Sequence, residues 1–376
     1  MPARTDIAVV GAGIVGLATA YAAAQRGLSV TVYDAAPPGS GQSAGQSRLF
    51  RHAHDDPRLV AMAAESRDLW RAWESDLGTQ LVSDDGGVAL GPAVDERLQV
   101  LAAFPDLRVR RIEADELAER LPLLAPYDGP AMLDEAAGTI RTTAAIGALT
   151  DRLRDSVVVD HVLSVRPTGS GTVEVRTGTG CREHGHVVVC AGRATPALAR
   201  GVGISIPLRH DATMRVTFAV RNPPPGRVAT LQDGSGAFGE SGVYASAYPG
   251  NTHYAVGVSE HIAAGEDASL SDPGRFAGIA DRTARYVARA LPGLDPTPVE
   301  YVHCWATELP WGSDAVAVWE TPGTSFVAGH NLFKHAPALG QALADSVADG
   351  RLREVLQPRS RLGDPEHTSR GPGDSS

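Results

Sequence analysis

The first forty residues alternate between short apolar runs and one longer helical stretch. Residues 7–10 and 28–33 are apolar runs of strand length, and the alanine-rich segment 17–26 between them has the composition of a helix. Gly27 follows that segment where a glycine commonly ends a helix, and Asp34 closes the second run. The pattern predicts a compact strand–helix–strand unit at the start of the chain.

Beyond residue 40, apolar residues switch several times between helical and strand spacing. Helical spacing occurs in 57–77, 95–104, 112–121, 142–153 and 273–290. Runs typical of strands lie between 157 and 175 and at 186–190, 213–220, 242–248, 253–258 and 324–328. Apolar runs on both sides of Gly86-Gly87 predict a hairpin over 81–90. This order predicts one sheet assembled from distant pieces of the chain, with an antiparallel sheet between them.

The composition excludes several classes of protein. Of the 376 residues, 43% are hydrophobic and 21% charged, which excludes collagen, a disordered tail protein and a coiled coil. No run approaches the ~18 consecutive apolar residues of a membrane span, and residues 1–6 lack the pattern of a secretory signal. Three cysteines cannot form a disulfide framework, so a reduced, cytoplasmic protein is expected.

The charge balance is acidic. The chain carries 34 basic and 44 acidic residues, a net charge of −10 at pH 7, whereas a nucleic-acid-binding protein normally has a basic excess. Every basic residue is arginine except Lys334. A single lysine in so arginine-rich a chain marks a candidate functional position, although chance retention explains it equally well.

A glycine motif lies at the turn between the first predicted strand and helix. Gly11-x-Gly13-x-x-Gly16 is followed by an acidic residue, Asp34, at the expected spacing of about twenty residues. Glycines let backbone N–H groups and the helix N-terminus approach a pyrophosphate, and the carboxylate binds a ribose hydroxyl. The motif predicts dinucleotide binding; a tight turn in an unrelated α/β protein is the alternative.

The motif alone does not distinguish NAD from FAD. Two further segments, 187–192 and 326–329, also run from an apolar strand into a glycine, and they are spread toward the far end of the chain. A nicotinamide dehydrogenase usually completes its dinucleotide fold in one run. The spacing therefore favours FAD and leaves an NAD-dependent dehydrogenase as an alternative.

Four further segments carry a resemblance to a known family. They are Ser47-Arg48-Leu49-Phe50-Arg51-His52, Val189-Cys190-Ala191-Gly192, Cys304-Trp305, and the stretch from Gly329 through Phe333-Lys334 to Gly340. Together with the glycine motif, they make almost the whole chain resemble the D-amino acid oxidase-like group of glycine oxidase and sarcosine oxidase, which are FAD-dependent amine oxidoreductases. Within that group the sequence is most similar to monomeric sarcosine oxidase and N-methyltryptophan oxidase.

The resemblance implies an α/β fold with two interleaved domains. A glutathione-reductase-like, FAD-binding Rossmann domain would comprise residues 1–80, 141–205 and 311–358. A catalytic domain with a mixed, largely antiparallel β-sheet would comprise 81–140 and 206–310. The composition of 359–376 predicts a disordered tail.

The resemblance also implies how the cofactor is held. Cys304 corresponds to the cysteine that bonds covalently to the flavin 8-methyl carbon, for which a thiolate is needed; a buried free cysteine is the alternative. Cys181 and Cys190 are expected to be structural, and no metal site is expected. The implied FAD-binding residues are Gly11, Gly13, Ile14, Val15, Gly16, Asp34, Ser43, Ser47, Arg48, Val162, Ala191, Gly192, Cys304, Gly329, Asn331, Leu332, Phe333 and Lys334.

Four residues correspond to catalytic positions of the family. Arg48 and Arg51 match two arginines over the flavin, and the second binds the substrate carboxylate through its planar guanidinium. Lys334 matches a lysine near the same carboxylate, and Tyr244 matches a tyrosine that faces the substrate. Two surface arginines and a core tyrosine are the alternatives.

The sequence departs from the family pattern around the substrate. Ala255 stands where a lysine promotes reaction with oxygen, and Ser259 replaces a histidine, with His261 close by. The loops differ as well, since a histidine before Arg48 is absent and the turn before Lys334 is shorter than usual. The residues at these loop positions are Ala44, His330 and Asn331. These changes leave the substrate and the electron acceptor open.

The expected reaction is hydride transfer to flavin N5 from the carbon next to an amine nitrogen, which gives an imine. The amine must be neutral for its lone pair to assist, so the pocket is expected to favour the deprotonated amine. We expect a secondary or cyclic amine or amino acid as substrate, and oxygen or another acceptor. A biosynthetic dehydrogenase or desaturase and a non-catalytic flavoprotein are the alternatives. A monomer or small homo-oligomer is expected, with no membrane or nucleic-acid partner.

Overall fold

The computed structural model describes residues 5–369. The helices are α1 (Ile14–Gln25), α2 (Pro57–Leu77), α3 (Val94–Leu101), α4 (Ala114–Arg120), α5 (Thr142–Arg152), α6 (Thr195–Arg200), α7 (Pro273–Ala290), α8 (Ala336–Asp349) and α9 (Pro365–Ser369). The strands are β1 (Thr5–Val10), β2 (Val30–Asp34), β3 (Ser47–Phe50), β4 (Gly87–Leu90), β5 (Val109–Ile112), β6 (Ala131–Asp134), β7 (Gly138–Arg141), β8 (Val157–Val159), β9 (Val162–Pro167), β10 (Val173–Thr177), β11 (Cys181–Val189), β12 (Arg209–Val220), β13 (Thr230–Asp233), β14 (Val243–Ala247), β15 (His253–Val258), β16 (Ile262–Ala263), β17 (Leu294–Glu308), β18 (Val316–Thr321) and β19 (Thr324–Gly329). Within this range, none of the helices combines the length and apolar character that a membrane span requires.

The first sheet has eight strands and is parallel at its centre. Its order is β18-β19-β11-β1-β2-β8, with β10 and β9 joined to β11. The neighbours from β19 to β8 all run parallel, and parallel strands are typically buried on both faces. Helices α1, α2, α5 and α8 cover one face, while β9, β10 and α6 pack on the other. The predicted sheet of distant chain segments is therefore confirmed.

The second sheet has nine strands and is antiparallel except where β13 meets β4. Its order is β16-β12-β15-β14-β13-β4-β6-β5, with β17 beside β12. Apolar residues of β12, β14 and β15 pack against α7. The other face of these strands is more polar and turns toward the first sheet, where the candidate site lies.

The strands of the two large sheets come from separate ranges of the chain. All strands of the first sheet fall in 1–80, 141–205 and 311–358, and all strands of the second fall in 81–140 and 206–310. A small third sheet pairs β3 with β7. Helices α2 and α7 begin and end where the apolar spacing of 57–77 and 273–290 predicts.

The hairpin predicted over 81–90 is wrong. Val82 forms an isolated antiparallel bridge with Ile140, whereas β4 pairs with β6 and β13. Gly86 turns the chain between them with φ of +80°. Each apolar run buries its side chains against strands from distant segments, and the local sequence does not reveal those partners.

The first part of the predicted disordered tail is packed against the protein. Leu362 is fully buried, and its carbonyl accepts hydrogen bonds from Val316 N and Trp311 Nε1, both at 3.2 Å. The Gly363 N–H donates to Asp56 Oδ2 at 2.8 Å. Composition therefore mispredicts this stretch, because one buried leucine and a few backbone bonds suffice to hold it. Residues 370–376 of the predicted tail lie outside the described range.

Candidate active site

One large cavity runs between the two sheets. Its volume is about 1350 Å³, whereas sites for small ligands typically have ~300–1,000 Å³. The wall is formed by the glycine turn after β1, the loop after β11, the polar face of β12 and the loop between β19 and α8. All predicted site residues line this cavity except Gly16 and Ser47. The size leaves room for a dinucleotide and a small substrate together.

The three motif glycines have different roles. Gly11 has φ of +107°, and a Cβ there would clash with the Cys190 carbonyl. A Cβ on Gly16 would clash with the Gly11 carbonyl, so these two glycines allow strand and helix to pack closely. A Cβ on Gly13 would approach only the Ser43 hydroxyl, at 3.2 Å. Gly13 is thus the motif glycine that keeps the cavity itself open.

The start of α1 can receive an anion. The Ile14 N–H donates to Ser43 Oγ at 2.9 Å, and the Ala12 N–H donates to Asp34 Oδ2 at 2.6 Å. Amides in the first turn of a helix lack partners within the helix, and the helix dipole favours negative charge there. The predicted ribose-binding carboxylate of Asp34 therefore lies directly beside the glycine turn that is predicted to bind the pyrophosphate.

The remaining predicted FAD-binding residues line the cavity, and the loop that carries two of them is anchored by Trp70. Phe333 lines the cavity and stacks on Trp70, with ring centroids 6.4 Å apart. The Trp70 indole N–H donates to the Lys334 carbonyl at 3.2 Å, which anchors the loop before α8. Six other residues are part of the wall: Val15, Val162, Ala191, Gly192, Gly329 and Leu332.

The second sheet presents Tyr244 and Cys304 to the cavity. The Tyr244 ring lies over Gly257, because a Cβ at that glycine would clash with it. Cys304 on β17 pairs with Thr213 on β12, and directly paired residues share a face of a sheet. Burial raises the pKa of Tyr244, so its phenol keeps its proton and can donate a hydrogen bond.

Two guanidinium groups meet at the Ser47 carbonyl. Arg48 Nη1 donates to this oxygen at 2.9 Å, and Arg215 Nη1 donates to it as well. Arg215 Nη2 also donates to Ser47 Oγ at 3.1 Å and to Ser246 Oγ at 3.2 Å. Burial and the nearby charge of Arg215 lower the pKa of Arg48 to about 10. The Arg48 guanidinium is therefore charged at neutral pH, and the buried Ser47 holds both side chains from behind the cavity wall.

Arg51 and Lys334 come together, as predicted, but around a carboxylate of the protein itself. Arg51 Nη2 donates to Asp314 Oδ2 at 2.7 Å, and Lys334 Nζ lies 3.9 Å from Asp314 Oδ1. His54 Nδ1 lies 3.0 Å from Asp314 Oδ2, and Asn331 Nδ2 donates to Asp314 Oδ1 at 2.6 Å. We call these five residues the Asp314 cluster.

Burial sets the charges in the Asp314 cluster. Burial lowers the pKa of Lys334 to about 8, and burial together with Arg51 lowers the pKa of His54 to about 3. Burial also opposes ionisation of Asp314, but Lys334 and Arg51 outweigh it and hold its pKa well below the usual range. At pH 7 the cluster contains two cations, one carboxylate and a neutral imidazole, and therefore one uncompensated positive charge.

A second polar cluster lies at the start of β12. Asp211, His261 and Glu308 offer atoms within 4.8 Å of one another that could bind a metal ion. Arg209, however, donates to Asp211 Oδ2 at 2.7 Å and pairs with Glu308, so a resident cation already pairs with both carboxylates. His330 meets His261 edge-on at 5.9 Å, and burial lowers its pKa to about 4.

Sequence reasoning missed Arg215 and Asp314. Polar residues alternate with apolar ones along β12, and Arg215 lies on the polar side. That alternation was a usable signal, but a polar strand face is ordinarily assigned to solvent rather than to a cavity. Asp314 lies in the connection between β17 and β18, where no periodic pattern marks it.

The residues present fit FAD along the whole cavity. The α1 N-terminus, Gly13 and Asp34 suit the pyrophosphate and adenosine ribose. The same cavity continues to Cys304 and to the cations of the opposite wall. A helix start that can receive an anion and a carboxylate beside it suit the pyrophosphate and ribose of FAD, and the volume of about 1350 Å³ leaves room for the rest of the cofactor.

Known proteins match the chain over most of its length. The family described as FAD dependent oxidoreductase, DAO, matches residues 6–346. Peroxisomal sarcosine oxidase of Homo sapiens is 28% identical over 363 residues, which cover 90% of each chain. Two matches cover about half of each chain: monomeric sarcosine oxidase of Bacillus sp. (26% over 224 residues, 56% of each chain) and N-methyl-L-tryptophan oxidase of Yersinia pestis (27% over 197 residues, 50% of this chain and 53% of the relative).

Solved structures share the fold. NikD, described as an unusual amino acid oxidase essential for nikkomycin biosynthesis, has a TM-score of 0.82 with 21% identity, and the match covers 96% of this chain and 97% of NikD. This similarity confirms the predicted fold class.

Proposed function

Because this chain belongs to the family of FAD-dependent oxidoreductases, we propose that it oxidises a secondary or cyclic amino acid to an imine. The family resemblance predicted from sequence is confirmed, and the protein is an FAD-dependent oxidoreductase whose relatives include sarcosine oxidases. The observation that supports a carboxylate on the substrate is the uncompensated positive charge of the Asp314 cluster, in the same cavity as the dinucleotide cradle. One substrate carboxylate would neutralise it.

The residues of this chain bind and orient the substrate. FAD, when bound, accepts the hydride. Arg51 pairs with the substrate carboxylate, while Lys334, held by the Asn331 carbonyl at 3.1 Å, adds the second positive charge. Nearby cations lower the pKa of a substrate ammonium, so this cavity favours the neutral amine needed for hydride loss. The phenol of Tyr244 faces the substrate from the opposite wall.

The test compares an amino acid with its carboxamide. Anaerobic mixing of each with the enzyme, followed by the bleaching of the flavin band, should show much weaker binding of the amide. Arg51→Ala should weaken binding of the acid by ~2–5 kcal/mol, since it removes one partner of a partly buried charge pair, and should change amide binding little. Arg71→Ala, at an exposed ion pair, serves as the control. Equal affinity of the wild type for acid and amide would contradict the proposal.

We also propose that Cys304 carries FAD covalently through the flavin 8-methyl carbon. Its thiol lines the cavity and donates a long hydrogen bond of 3.7 Å to the Val302 carbonyl. Acid precipitation should leave the yellow colour with the protein, and the intact mass should exceed the chain mass by one FAD. Cys304→Ser should abolish that excess. Release of all FAD from the wild type under acid would refute the bond.

A dehydrogenase that passes electrons to a carrier is the second candidate function, and Ala255 favours it. Electron transfer to oxygen creates superoxide, which a nearby cation stabilises; the buried alanine supplies none itself, so this step depends on other cations of the cavity, such as Arg48 and Arg215. Mixing the photoreduced enzyme with aerated buffer measures this step without substrate. Slow reoxidation supports a dehydrogenase, and fast reoxidation supports an oxidase that forms hydrogen peroxide.

A further inference from the structure

Arg215 is a buried cation that forms no ion pair with any residue between positions 5 and 369. Its side chain is 5% exposed and lines the cavity. Its hydrogen bonds all go to uncharged oxygens of Ser47 and Ser246, and its Nε has no partner within residues 5–369. Buried charges in proteins are normally paired. The cavity wall therefore holds a positive charge that a bound group can balance.

No carboxylate in the described part of the chain pairs with this charge. Glu300, on the neighbouring strand, accepts hydrogen bonds from Tyr248 at 2.6 Å and Thr217 at 3.1 Å instead. Arg48 shares the Ser47 carbonyl and adds a second positive charge. The wall thus carries two adjacent guanidinium groups, and neither of them has an ion pair within the part of the chain that the structure describes.

The register places the Arg215 guanidinium beside Ala255. Arg215 pairs with Gly257, and Ser246, which binds the guanidinium, pairs with Ala255. Paired residues share a face and have Cβ atoms about 4.5–5.5 Å apart. Arg215 Nη2 donates to Ser246 Oγ at 3.2 Å, and the strand partner of Ser246 is the small residue Ala255.

We infer that Arg215 stabilises the negative charge that FAD gains on reduction in this cavity. A hydride brings two electrons and one proton, so the reduced cofactor carries one more negative charge, while the amine that loses the hydride becomes an iminium and then, on losing a proton, an imine. A fixed cation in a site of low dielectric favours that charge strongly. This inference shares one premise with the proposed function, namely that FAD occupies this cavity.

The experiment measures the midpoint potential of bound FAD with a chemical reductant and a reference dye. Arg215→Gln, which removes the charge, should shift the potential downward, and Arg215→Lys should retain most of the wild-type value. Arg209→Gln is the matched control, because Arg209 lies on the same strand but is paired with Asp211 and Glu308; it should leave the potential unchanged. Equal potentials in the wild type and Arg215→Gln would overturn the inference.

A second variant addresses folding, since Arg215 ties three segments together. Adding Ala255→Lys to Arg215→Gln returns a positive charge from the adjacent strand and should restore the potential. Reoxidation by oxygen should fall by about 10²–10³ in Arg215→Gln, the typical effect of losing one preorganised electrostatic partner, and recover in the double variant. A double variant that folds, holds FAD and keeps the low potential would overturn the inference. None of these measurements needs an amine, so failure to find a substrate would refute the proposed function alone.

Discussion

At the scale of single residues, Asp314 sets the charge of the substrate end of the cavity. Without its carboxylate, Arg51 and Lys334 would place two cations together in a buried site, and the pKa of Lys334 would fall further because like charges disfavour protonation. With Asp314 present, Lys334 keeps its proton near neutral pH and one positive charge remains. The cluster can therefore bind one substrate carboxylate, because the two cations outweigh the repulsion between that carboxylate and Asp314.

The pKa of Lys334 predicts a pH dependence of ligand binding. Above about pH 8 the ammonium loses its proton, so the cluster loses its net positive charge. The dissociation constant of a carboxylic acid that has no amine should then rise with pH, at most about tenfold per pH unit. A spectral titration of the flavin measures this constant, and the absence of an amine removes the titration of the substrate itself.

Lys334→Arg is the control for this titration. An arginine stays charged at all accessible pH values, so the rise in the dissociation constant above pH 8 should disappear. If the wild type shows no such rise between pH 7 and 9.5, Lys334 does not contribute its charge to carboxylate binding.

At the scale of secondary-structure elements, the three glycines in the turn from β1 to α1 serve two purposes. Two of them allow the strand and the helix to pack closely, and one keeps the cavity open. Gly11 and Gly16 allow the helix to pack against the strand ends, because a Cβ atom at either position would clash with a backbone carbonyl. Gly13 is the N-cap of α1 with ordinary extended angles, φ of −72° and ψ of 177°. The backbone at Gly13 thus tolerates a side chain. Glycine is needed there because a side chain would enter the cavity in front of the α1 N-terminus.

Substitution of Gly13 should therefore remove the cofactor and spare the fold. Gly13→Val places a branched side chain in front of the α1 N-terminus, and the protein should fold but lose FAD affinity by more than tenfold, or ~1.4 kcal/mol. Flavin absorbance per chain and thermal unfolding measure the two effects. Gly147→Val, where an added Cβ meets nothing within 4 Å, is the control. A Gly13→Val protein with full flavin content would show that the pyrophosphate does not bind here.

At the scale of the whole molecule, the segment after α8 packs against helices from the first part of the described chain. Arg58, near the start of α2, donates to the Ser360 carbonyl at 2.6 Å and the Arg361 carbonyl at 3.1 Å. Leu362 is buried in the core of the first sheet with residues of α1 and α8. The loop that carries Asp314 contacts the same segment, because a Cβ on Gly312 would clash with the Gly363 carbonyl.

This segment should contribute measurably to stability. Leu362→Ala removes a fully buried leucine and should lower the free energy of unfolding by ~2–5 kcal/mol. Leu163→Ala is the matched control, since Leu163 is 54% exposed and should change stability by less than ~0.5 kcal/mol. Denaturant unfolding followed by flavin fluorescence measures both. Equal midpoints for the two variants would mean that the segment is only loosely attached.

The amino-acid sequence by itself determined the local and the periodic features. The apolar runs predicted β1, β2 and β19, and the spacing of 57–77 and 273–290 predicted α2 and α7, because side-chain period follows from backbone geometry. The glycine motif predicted the turn at α1, since few residue types can occupy it. Motif positions such as Arg51 and Lys334 could be named as candidates before their neighbours were known.

Only the tertiary structure decided which charges meet. Asp314 lies 263 positions from Arg51, and Arg215 lies 168 from Ser47, so no local pattern links these partners. The polar face of β12 looks like a solvent-facing surface in sequence, and only the packing of one sheet over the other makes it a cavity wall. Pairing energies and pKa values depend on distance and burial, which chain folding sets and residue order alone does not.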